Sequence, residues 1–183
     1  MDFRELEIKG VFEITLREVS DERGFFMRTY ETAEFKNAGL HREWLQENHS
    51  RSVRKGIIRG LHFQREPFAE AKLVRCIRGE VYDVVVDLRP ASGTFGKWAG
   101  IVLSEENRKM VFVPRGCAHG FCTLSEISEV VYKVDNVYSP QHEGGIIWND
   151  TSLGITWPLE TEPLVSVKDS RNITIMEYRE KLG

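Results

Sequence analysis

The chain has 183 residues, of which 41% are hydrophobic, and it carries a formal net charge of −3. This length and composition predict one globular domain over residues 1–183, and the slight negative charge without a basic tract argues against nucleic acid as a partner. The charged N-terminus lacks the apolar core of a signal peptide and no apolar run approaches the ~20 residues of a membrane helix, so we expect a soluble, untargeted cytoplasmic protein without membrane contact.

The first helix signal along the chain falls in “TAEFKNAG”, residues 32–39. Thr32 is placed as an N-cap, Glu34 lies in the first turn and Gly39 stands where a left-handed C-terminal residue belongs, so the pattern predicts one short helix. Further on, “SEENRK” from Ser104 predicts one more turn. The end of the chain, “EYREKLG”, is either a helix or a frayed tail.

Most of the chain alternates with a period of two. In “EVYDVVVDLR”, residues 80–89, the even positions from Tyr82 to Leu88 take one face and the odd positions from Val81 to Asp87 take the other, as in a half-buried or barrel strand. The same style recurs in “KLVRCIRG”, “GIVLS”, “MVFVPRG”, “EVVYKVDNVY” and “GIIWND”. Short strands closed by turn residues at this spacing predict a mainly β sandwich or barrel.

The stretch “GIIRGLHFQ”, residues 56–64, combines a cation and an imidazole within an apolar strand. Strand periodicity puts Arg59 and His62 on opposite faces unless Gly60 breaks the alternation. A lone histidine in an apolar strand is usually a satisfied core residue. Here Lys72 opens the next strand, and a jelly-roll interior cannot hold several cations unless an anion or water fills it. The pattern therefore favours a cavity that receives an anionic ligand.

A metal site is a second reading of the histidines. His119, in “PRGCAHGF” at a loop-to-strand junction, is either a loop histidine bonded to backbone or a site residue. Metal-dependent cupins usually present an H-x-H pair, and position 60 is glycine, so a site shared by His62 and His119 is disfavoured. Cys76, Cys117 and Cys122 lack metal-site spacing and predict reduced core thiols. We expect no metal and no cofactor.

Three further groups of residues can each be interpreted in two ways. Tyr132 and Tyr138 bracket “YKVDNVY” and would share a strand face, as core residues or as a source of a proton donor. Lys168 and Asp169, in “SVKDS”, form a surface ion pair, or Asp169 reaches inward to orient a histidine. Arg23, in “DERGFF”, is either a surface charge or a bidentate ligand of phosphate oxygens.

Nine segments, taken in order, resemble the dTDP-4-dehydrorhamnose 3,5-epimerase family. They are “DERGFF”, “QENHS”, “IRGLHFQ”, “KLVRCIRGEVYDVVVDLRPASGTFGKW”, “VPRGCAHGFCTLS”, “YKVDNVYSP”, “EGGIIWND”, “ITWP” and “SVKD”, and they cover about residues 3–170. The resemblance implies a cupin-type jelly-roll barrel with a few short helices, a homodimer, and no metal. It also implies epimerisation at C3 and C5 of a nucleotide-linked 4-keto-6-deoxyhexose.

The same resemblance implies roles for individual positions. His62 matches the proton acceptor, Tyr132 the proton donor and Asp169 the carboxylate that partners the histidine. Lys72 and His119 match sugar contacts, and Arg23 and Arg59 match diphosphate ligands. The further substrate contacts are Gln46, Asn48, Glu143, Lys168 and Tyr138, the last of which stacks on the nucleobase from the neighbouring subunit in the family.

Three positions depart from the family pattern. Arg28 stands where the family often has glutamate, Glu47 where it often has aspartate, and Glu70 where “Q-x-K” is usual. Arg28 and Glu47 lie in the region expected to contact the nucleotide and are kept as candidate substrate contacts. The expected base is therefore thymidine, with cytidine or guanosine open.

The chemistry explains why such groups are needed. The protons on C3 and C5 are acidic because each is α to the C4 ketone, so one base, His62, can produce the enolate from either carbon. Lys72 is the candidate cation for the enolate oxygen, and Tyr132 would deliver a proton to the opposite face. Three alternatives stay open: an epimerase acting at C3 or C5 alone, a non-catalytic cupin that binds nucleotide-sugars, and a metal-dependent cupin.

Overall fold

The computed structural model describes residues 1–182, which form fourteen strands, two short α-helices and one 3-10 turn. The strands are β1 (Asp2–Glu5), β2 (Phe12–Thr15), β3 (Glu18–Asp21), β4 (Gly24–Met27), β5 (Gln46–Ser52), β6 (Ile57–Gln64), β7 (Lys72–Arg78), β8 (Glu80–Asp87), β9 (Trp98–Ser104), β10 (Lys109–Val113), β11 (Cys117–Thr123), β12 (Ser128–Val134), β13 (Glu143–Gly145) and β14 (Leu164–Val165). The helices are α1 (Thr32–Asn37) and α2 (Ile175–Glu180), and the 3-10 turn is Asp169–Arg171.

Two antiparallel sheets face each other. The first has the strand order β1-β2-β10-β7-β12-β5, and the second has the order β13-β6-β11-β8-β9, with β14 added in parallel beside β6. A separate hairpin, β3–β4, stands apart from both sheets. Neighbouring strands come from distant parts of the chain, as in a jelly roll, so the predicted mainly β, cupin-type jelly-roll architecture is confirmed.

Strand β8 is buried on both faces, and its alternation is as predicted. Val81 and Val85 point between the two sheets and join a core cluster with residues of β7, β9 and β10. Val84 and Val86 point the other way and pack beneath the C-terminal segment, with Trp157 among their neighbours. Full burial of an aliphatic side chain contributes about 1.5–3 kcal/mol, so this covering segment stabilises the second sheet from outside.

The helices differ from their predicted form in detail. Thr32 is the first helical residue and Glu31 occupies the N-cap position, so the predicted cap is wrong by one residue. Gly39 follows α1 with φ +72°, the left-handed conformation expected of it. The end of the chain forms helix α2, closed at its start by a capping box between Thr174 and Glu177. Residues 105–107 form a turn.

The three cysteines are free and buried. Burial raises the pKa of Cys76 to about 11, of Cys117 to about 12 and of Cys122 to about 11, so their thiols stay protonated at neutral pH. Across residues 1–182, the helices are all too short or too polar to cross a membrane.

Candidate active site

A cavity of about 530 Å³ gathers residues from β6, β7, β11, β12, β14 and the 3-10 turn. A smaller cavity of about 150 Å³ adjoins it. Both are lined by His62, Lys72 and Tyr132, which therefore form the wall that the two share. The larger cavity adds the predicted site residues Arg59, His119, Lys168 and Asp169, and the smaller one adds Gln46, Asn48, Tyr138 and Glu143.

A bulge at Gly60 puts Arg59 and His62 on the same face. Strand β11 pairs His119 with His62 and Phe121 with Arg59, so β6 uses one residue more than β11 over this interval. Gly60 has φ +129°, and a Cβ built there would lie 2.6 Å from the Cα of Gly120. Only glycine fits this backbone. The sequence left open whether Gly60 breaks the alternation, and it does.

His62 is paired with Asp169. Its Nε2 lies 2.7 Å from Asp169 Oδ1, and the other carboxylate oxygen accepts the backbone N–H of Gly60 at 3.3 Å. The backbone N–H of Asp169 donates to Ser166 Oγ at 3.0 Å. A carboxylate can only accept, so Nε2 carries a hydrogen, and Nδ1 is the atom that has the lone pair when the imidazole is neutral.

The charge of Asp169 is stabilised although the residue is only 4% exposed. Burial alone would raise the pKa of its carboxyl, but the hydrogen bond from His62 and the backbone bond from Gly60 outweigh it and leave the pKa below the usual value. Asp169 therefore faces His62 as a carboxylate. Of the two readings of “SVKDS”, the inward-reaching aspartate is correct.

Tyr132 presents a protonated phenol to both cavities. Burial raises the pKa of Tyr132, the negative charges of Glu70 and Glu143 raise it further, and Arg59 opposes them. The ring also packs against the core cluster between the sheets. A buried phenol of this kind is a proton source rather than an anion at neutral pH.

Lys72 is almost fully buried and ion-paired. It is 6% exposed, and its Nζ lies 3.4 Å from Glu70 Oε1. The other oxygen of Glu70 accepts Gln64 Nε2 at 3.0 Å. The ammonium is thus fixed at the wall shared by the two cavities.

His119 forms a second pair with a carboxylate, Asp83. Its Nε2 lies 2.8 Å from Asp83 Oδ2, and both side chains are buried. Strand β11 begins at Cys117, so “PRGCAHGF” runs from a loop into a strand as predicted, and His119 is the third residue of that strand. Asp83 was not singled out as a site residue, although a carboxylate at an inward position of the apolar strand β8 requires a partner.

The rim of the site is a chain of polar contacts. Lys168 Nζ lies 2.6 Å from Glu143 Oε2, and the Tyr138 hydroxyl donates to the same carboxylate at 2.7 Å. Although burial alone would raise the pKa of Glu143, these two bonds lower it overall. The backbone N–H of Tyr138 donates to Gln46 Oε1 at 2.8 Å. Arg59 extends to the surface and donates to Ser52 Oγ at 3.2 Å.

Three predicted contacts lie outside both cavities of their own chain. Arg23 is at the tip of the β3–β4 hairpin, paired with Asp21 and exposed. Arg28 follows the hairpin and contacts Glu31 at 3.4 Å. Glu47 points to the outer face of β5 and pairs with Lys133 at 2.6 Å, away from its neighbours in the smaller cavity.

Comparison with known proteins places these features in context. The model of a family described as dTDP-4-dehydrorhamnose 3,5-epimerase matches residues 5–177. A relative of that name from Shigella flexneri is 49% identical over 170 residues, covering 92% of this chain and 93% of that protein. A dTDP-4-dehydrorhamnose 3-epimerase from Streptomyces niveus is 41% identical over 181 residues, covering 98% of this chain and 86% of that protein.

A solved structure gives the same result at the level of the fold. The crystal structure of a dTDP-4-dehydrorhamnose 3,5-epimerase from Bacillus anthracis, with TDP and PPi bound, matches with a TM-score of 0.92. The two sequences are 42% identical, and the match covers 94% of this chain and 98% of that one. The similarity therefore extends over nearly all of the chain and includes every element that lines the two cavities.

Proposed function

The chain belongs to the dTDP-4-dehydrorhamnose 3,5-epimerase family, and from this premise we propose that it converts dTDP-4-dehydro-6-deoxy-D-glucose to dTDP-4-dehydro-L-rhamnose. The observation that carries the proposal is the 2.7 Å contact between His62 Nε2 and Asp169 Oδ1, in a cavity that Tyr132 and Lys72 also line. This combination contains a base with a fixed tautomer, an acid and a cation. Inversion at a carbon beside a ketone requires these three groups.

His62 is the base in this proposal. Its Nδ1 removes the proton from C3 or C5, and the imidazolium that forms is stabilised by the carboxylate of Asp169. The two carbons flank the same ketone, so one imidazole reaches both when the ring is positioned by its nucleotide anchor. Asp169 acts through His62 and serves as its positioning residue.

Lys72 stabilises the enolate and Tyr132 completes the inversion. As a proton leaves C3 or C5, negative charge accumulates on the C4 oxygen, and a buried ammonium fixed at the shared wall compensates it without reorganisation. The phenol of Tyr132 then protonates the carbon from the face opposite His62. A tyrosine whose pKa is raised by burial holds its proton until the enolate is formed.

The anionic end of the substrate is held at the rim. Arg59 extends from the larger cavity to the surface, where its guanidinium donates to Ser52 Oγ and to the Arg51 carbonyl, each at 3.2 Å, and its remaining N–H groups would bind the diphosphate. Gln46, Asn48 and Tyr138 line the smaller cavity and are the proposed contacts of the nucleoside. His119 and the Lys168–Glu143 pair contact the sugar. These anchors hold the ring at reacting distance from His62.

A homodimer would bring the remaining predicted contacts to a site. The hairpin β3–β4 exposes the apolar side chains of Val19, Phe25 and Phe26 to solvent. Exposed apolar surface is unfavourable, and a second copy of the chain would remove this cost by covering it. We propose that Arg23 and Arg28 of one copy, with Glu47 on its outer strand face, approach the cavity of the other. Light scattering in solution should give twice the monomer mass.

Complementation tests the shared site directly. Chains carrying His62→Asn and chains carrying Arg23→Ala should each be inactive or strongly impaired. After the two are unfolded and refolded together, mixed dimers contain one site with both residues intact, so activity should return. Absence of recovery in a mixture shown to contain mixed dimers would place Arg23 in its own chain's site or in none.

We also propose a cytoplasmic location. Three buried thiols without a disulfide suit a reducing compartment, and a nucleotide-sugar substrate is an intracellular metabolite. Fractionation of cells that produce the native chain should recover the protein with the cytosol.

Proton exchange with solvent tests the function itself. In deuterated water, the wild-type product should carry deuterium at both C3 and C5 by NMR. His62→Asn should still bind dTDP with the wild-type Kd and should show no deuterium at either carbon. If His62→Asn binds dTDP and still exchanges the sugar protons at the normal rate, His62 is not the base. If the wild-type protein binds the nucleotide-sugar but exchanges neither proton, the protein is a non-catalytic nucleotide-sugar binder.

Epimerisation at C3 alone is the second candidate. It is favoured by the 41% identity to the Streptomyces niveus 3-epimerase, which extends over 181 residues. The same NMR spectrum separates the two. Deuterium and inverted configuration at both carbons of the product support the double epimerase, and inversion restricted to C3 supports the narrower activity.

A further inference from the structure

A buried carboxylate stands directly behind Lys72. Glu70 lies two residues before Lys72, just ahead of β7, and the side chains of the two are only 12% and 8% exposed. Glu70 Oε1 contacts the ammonium at 3.4 Å, and Glu70 lines the smaller cavity together with Lys72 and Tyr132. The carboxylate is thus adjacent to the proposed enolate-stabilising cation and to the proposed proton donor.

Gln64 holds this carboxylate in place. Its Nε2 donates to Glu70 Oε2 at 3.0 Å and also lies 3.0 Å from the carbonyl of Phe68 and 3.1 Å from that of Val137. Its Oε1 accepts the backbone N–H of Ser139 at 2.7 Å. The orientation of the amide is therefore fixed at both ends, with nitrogen toward Glu70.

A neutral side chain could fill this space without the cost of burying a charge. Desolvating a carboxylate is unfavourable unless an opposite charge and hydrogen bonds compensate it. Glu70 has one opposite charge, the Lys72 ammonium, and one hydrogen bond, from Gln64. Lys72 is also the proposed cation for the enolate. The arrangement is therefore more than packing.

We propose that Glu70 is a positioning residue for the epimerisation: its carboxylate, held by Gln64, fixes the Lys72 ammonium at the wall shared by the two cavities. This inference rests on the proposed function, because it assigns Lys72 the enolate oxygen. Glu70 does not touch the substrate's reacting atoms and acts through Lys72.

The family pattern usually has glutamine at this position, so the carboxylate is a feature of this chain, and glutamine cannot reproduce both contacts that Glu70 makes here. An amide has one acceptor oxygen, and both partners, Lys72 Nζ and Gln64 Nε2, are donors. If the oxygen faces Lys72, two amide NH₂ groups meet at Gln64, and turning Gln64 over would break its bond from Ser139. Glu70→Gln must therefore release either the ammonium or the clamp.

The negative charge also acts on Tyr132. The groups that surround this phenol come from several elements and comprise Arg59, His62, Lys72, Glu70 and Glu143. Burial is the largest cause of the raised pKa of Tyr132, and the negative charge of Glu70 is the second. The effect of Glu70 is larger than the opposing effect of Arg59. Removal of the Glu70 charge should therefore lower the pKa of Tyr132, a change that a purely structural residue would not cause.

The test compares Glu70→Gln, which keeps the shape, with Glu70→Asp, which keeps the charge. For Glu70→Gln we expect kcat to fall about tenfold with KM unchanged, less than the roughly hundredfold that a displacement of about 1 Å can cost. The alkaline limb of its kcat profile should move to lower pH. Glu70→Asp should keep the wild-type limb, whatever its kcat.

Glu13→Gln is the matched control. Glu13 is a mostly buried carboxylate that contacts a lysine, Lys109, at 3.1 Å, and it lines neither cavity. Its neutralisation should leave kcat and the pH profile unchanged. Equal losses in Glu70→Gln and Glu70→Asp with unmoved limbs, or a Glu70→Gln enzyme identical to wild type, would overturn the proposal.

A second readout needs no turnover. The ultraviolet titration of Tyr132, taken as the difference between each protein and its Tyr132→Phe counterpart, should shift to lower pH in Glu70→Gln. If the wild-type chain failed to epimerise but this shift appeared, the proposed function would fall while the electrostatic link between Glu70 and Tyr132 stood. An unmoved titration contradicts the link itself.

Discussion

Replacement of Asp169 by asparagine should disable His62 while leaving it in place. The carboxylate accepts from two donors, His62 Nε2 at 2.7 Å and the Gly60 N–H at 3.3 Å. An amide has one acceptor oxygen, and the backbone donor of Gly60 cannot change its character. The amide nitrogen then faces His62 Nε2, which must become the acceptor, so the imidazole hydrogen moves to Nδ1 and the lone pair that the proposed base uses is lost.

The expected loss follows from charge. In the transition state His62 becomes an imidazolium beside Asp169, and unit charges about 4 Å apart attract by roughly 4 kcal/mol at an effective dielectric constant of about 20. This corresponds to roughly a thousandfold in kcat. The proposed base acquires its charge only during the reaction, so KM should change little.

Steady-state kinetics and circular dichroism of Asp169→Asn provide the measurement. We expect kcat to fall by about a thousandfold at constant KM, with the wild-type spectrum retained. A loss below about tenfold, or one carried by KM, would show that Asp169 does not govern the protonation of the base.

Three further outcomes follow from the structure. Tyr132→Phe should recover substrate labelled with deuterium but not inverted, because His62 can return a proton only to the face from which it took one; NMR showing inverted product would contradict this. Gly60→Ala should destabilise the fold by at least about 1–3 kcal/mol in denaturant titration, because φ +129° and a 2.6 Å approach to Gly120 exclude a Cβ, and wild-type stability would refute that reading. Burial opposes the ionisation of Asp87, but its hydrogen bonds lower its pKa from 3.8 to about 2. The ionised carboxylate therefore contributes about 2 kcal/mol to the free energy of unfolding above pH 3.8, and this contribution is lost as the pH falls through about 2. Asp87→Asn should abolish that acid-dependent difference in unfolding free energy.

Local patterns in the sequence located strands such as β7, β8, β9, β10 and β12, whereas “GIIWND” is a strand only at Gly145 and β12 ends at Val134, before Tyr138. The roles of the candidate site residues came from the resemblance to a family. The alternation in β8 is a property of consecutive residues, and the structure reproduces it on both faces. “GIIRGLHFQ” raised the correct question, because a glycine between a cation and an imidazole can change which face each one takes. The structure answers it with a bulge at Gly60.

Partners joined across the sheets could not be predicted in the same way. Asp83 and His119 are 36 residues apart and meet only because β8 pairs with β11. Gln64 and Glu70 meet where a loop folds back on β6, and neither contact leaves a periodic signal. The hairpin residues Arg23 and Phe26 are exposed and line neither cavity, so no local pattern could place them at a site.

A crystal structure with a dTDP-linked 4-keto sugar bound tests the central claim most directly. The account predicts His62 Nδ1 within about 3.5 Å of C3 or C5, the Tyr132 hydroxyl on the opposite face of the ring, and the C4 oxygen within about 3 Å of Lys72 Nζ. A sugar with both His62 and Tyr132 on the same face, or with its C4 oxygen directed away from Lys72, would contradict it.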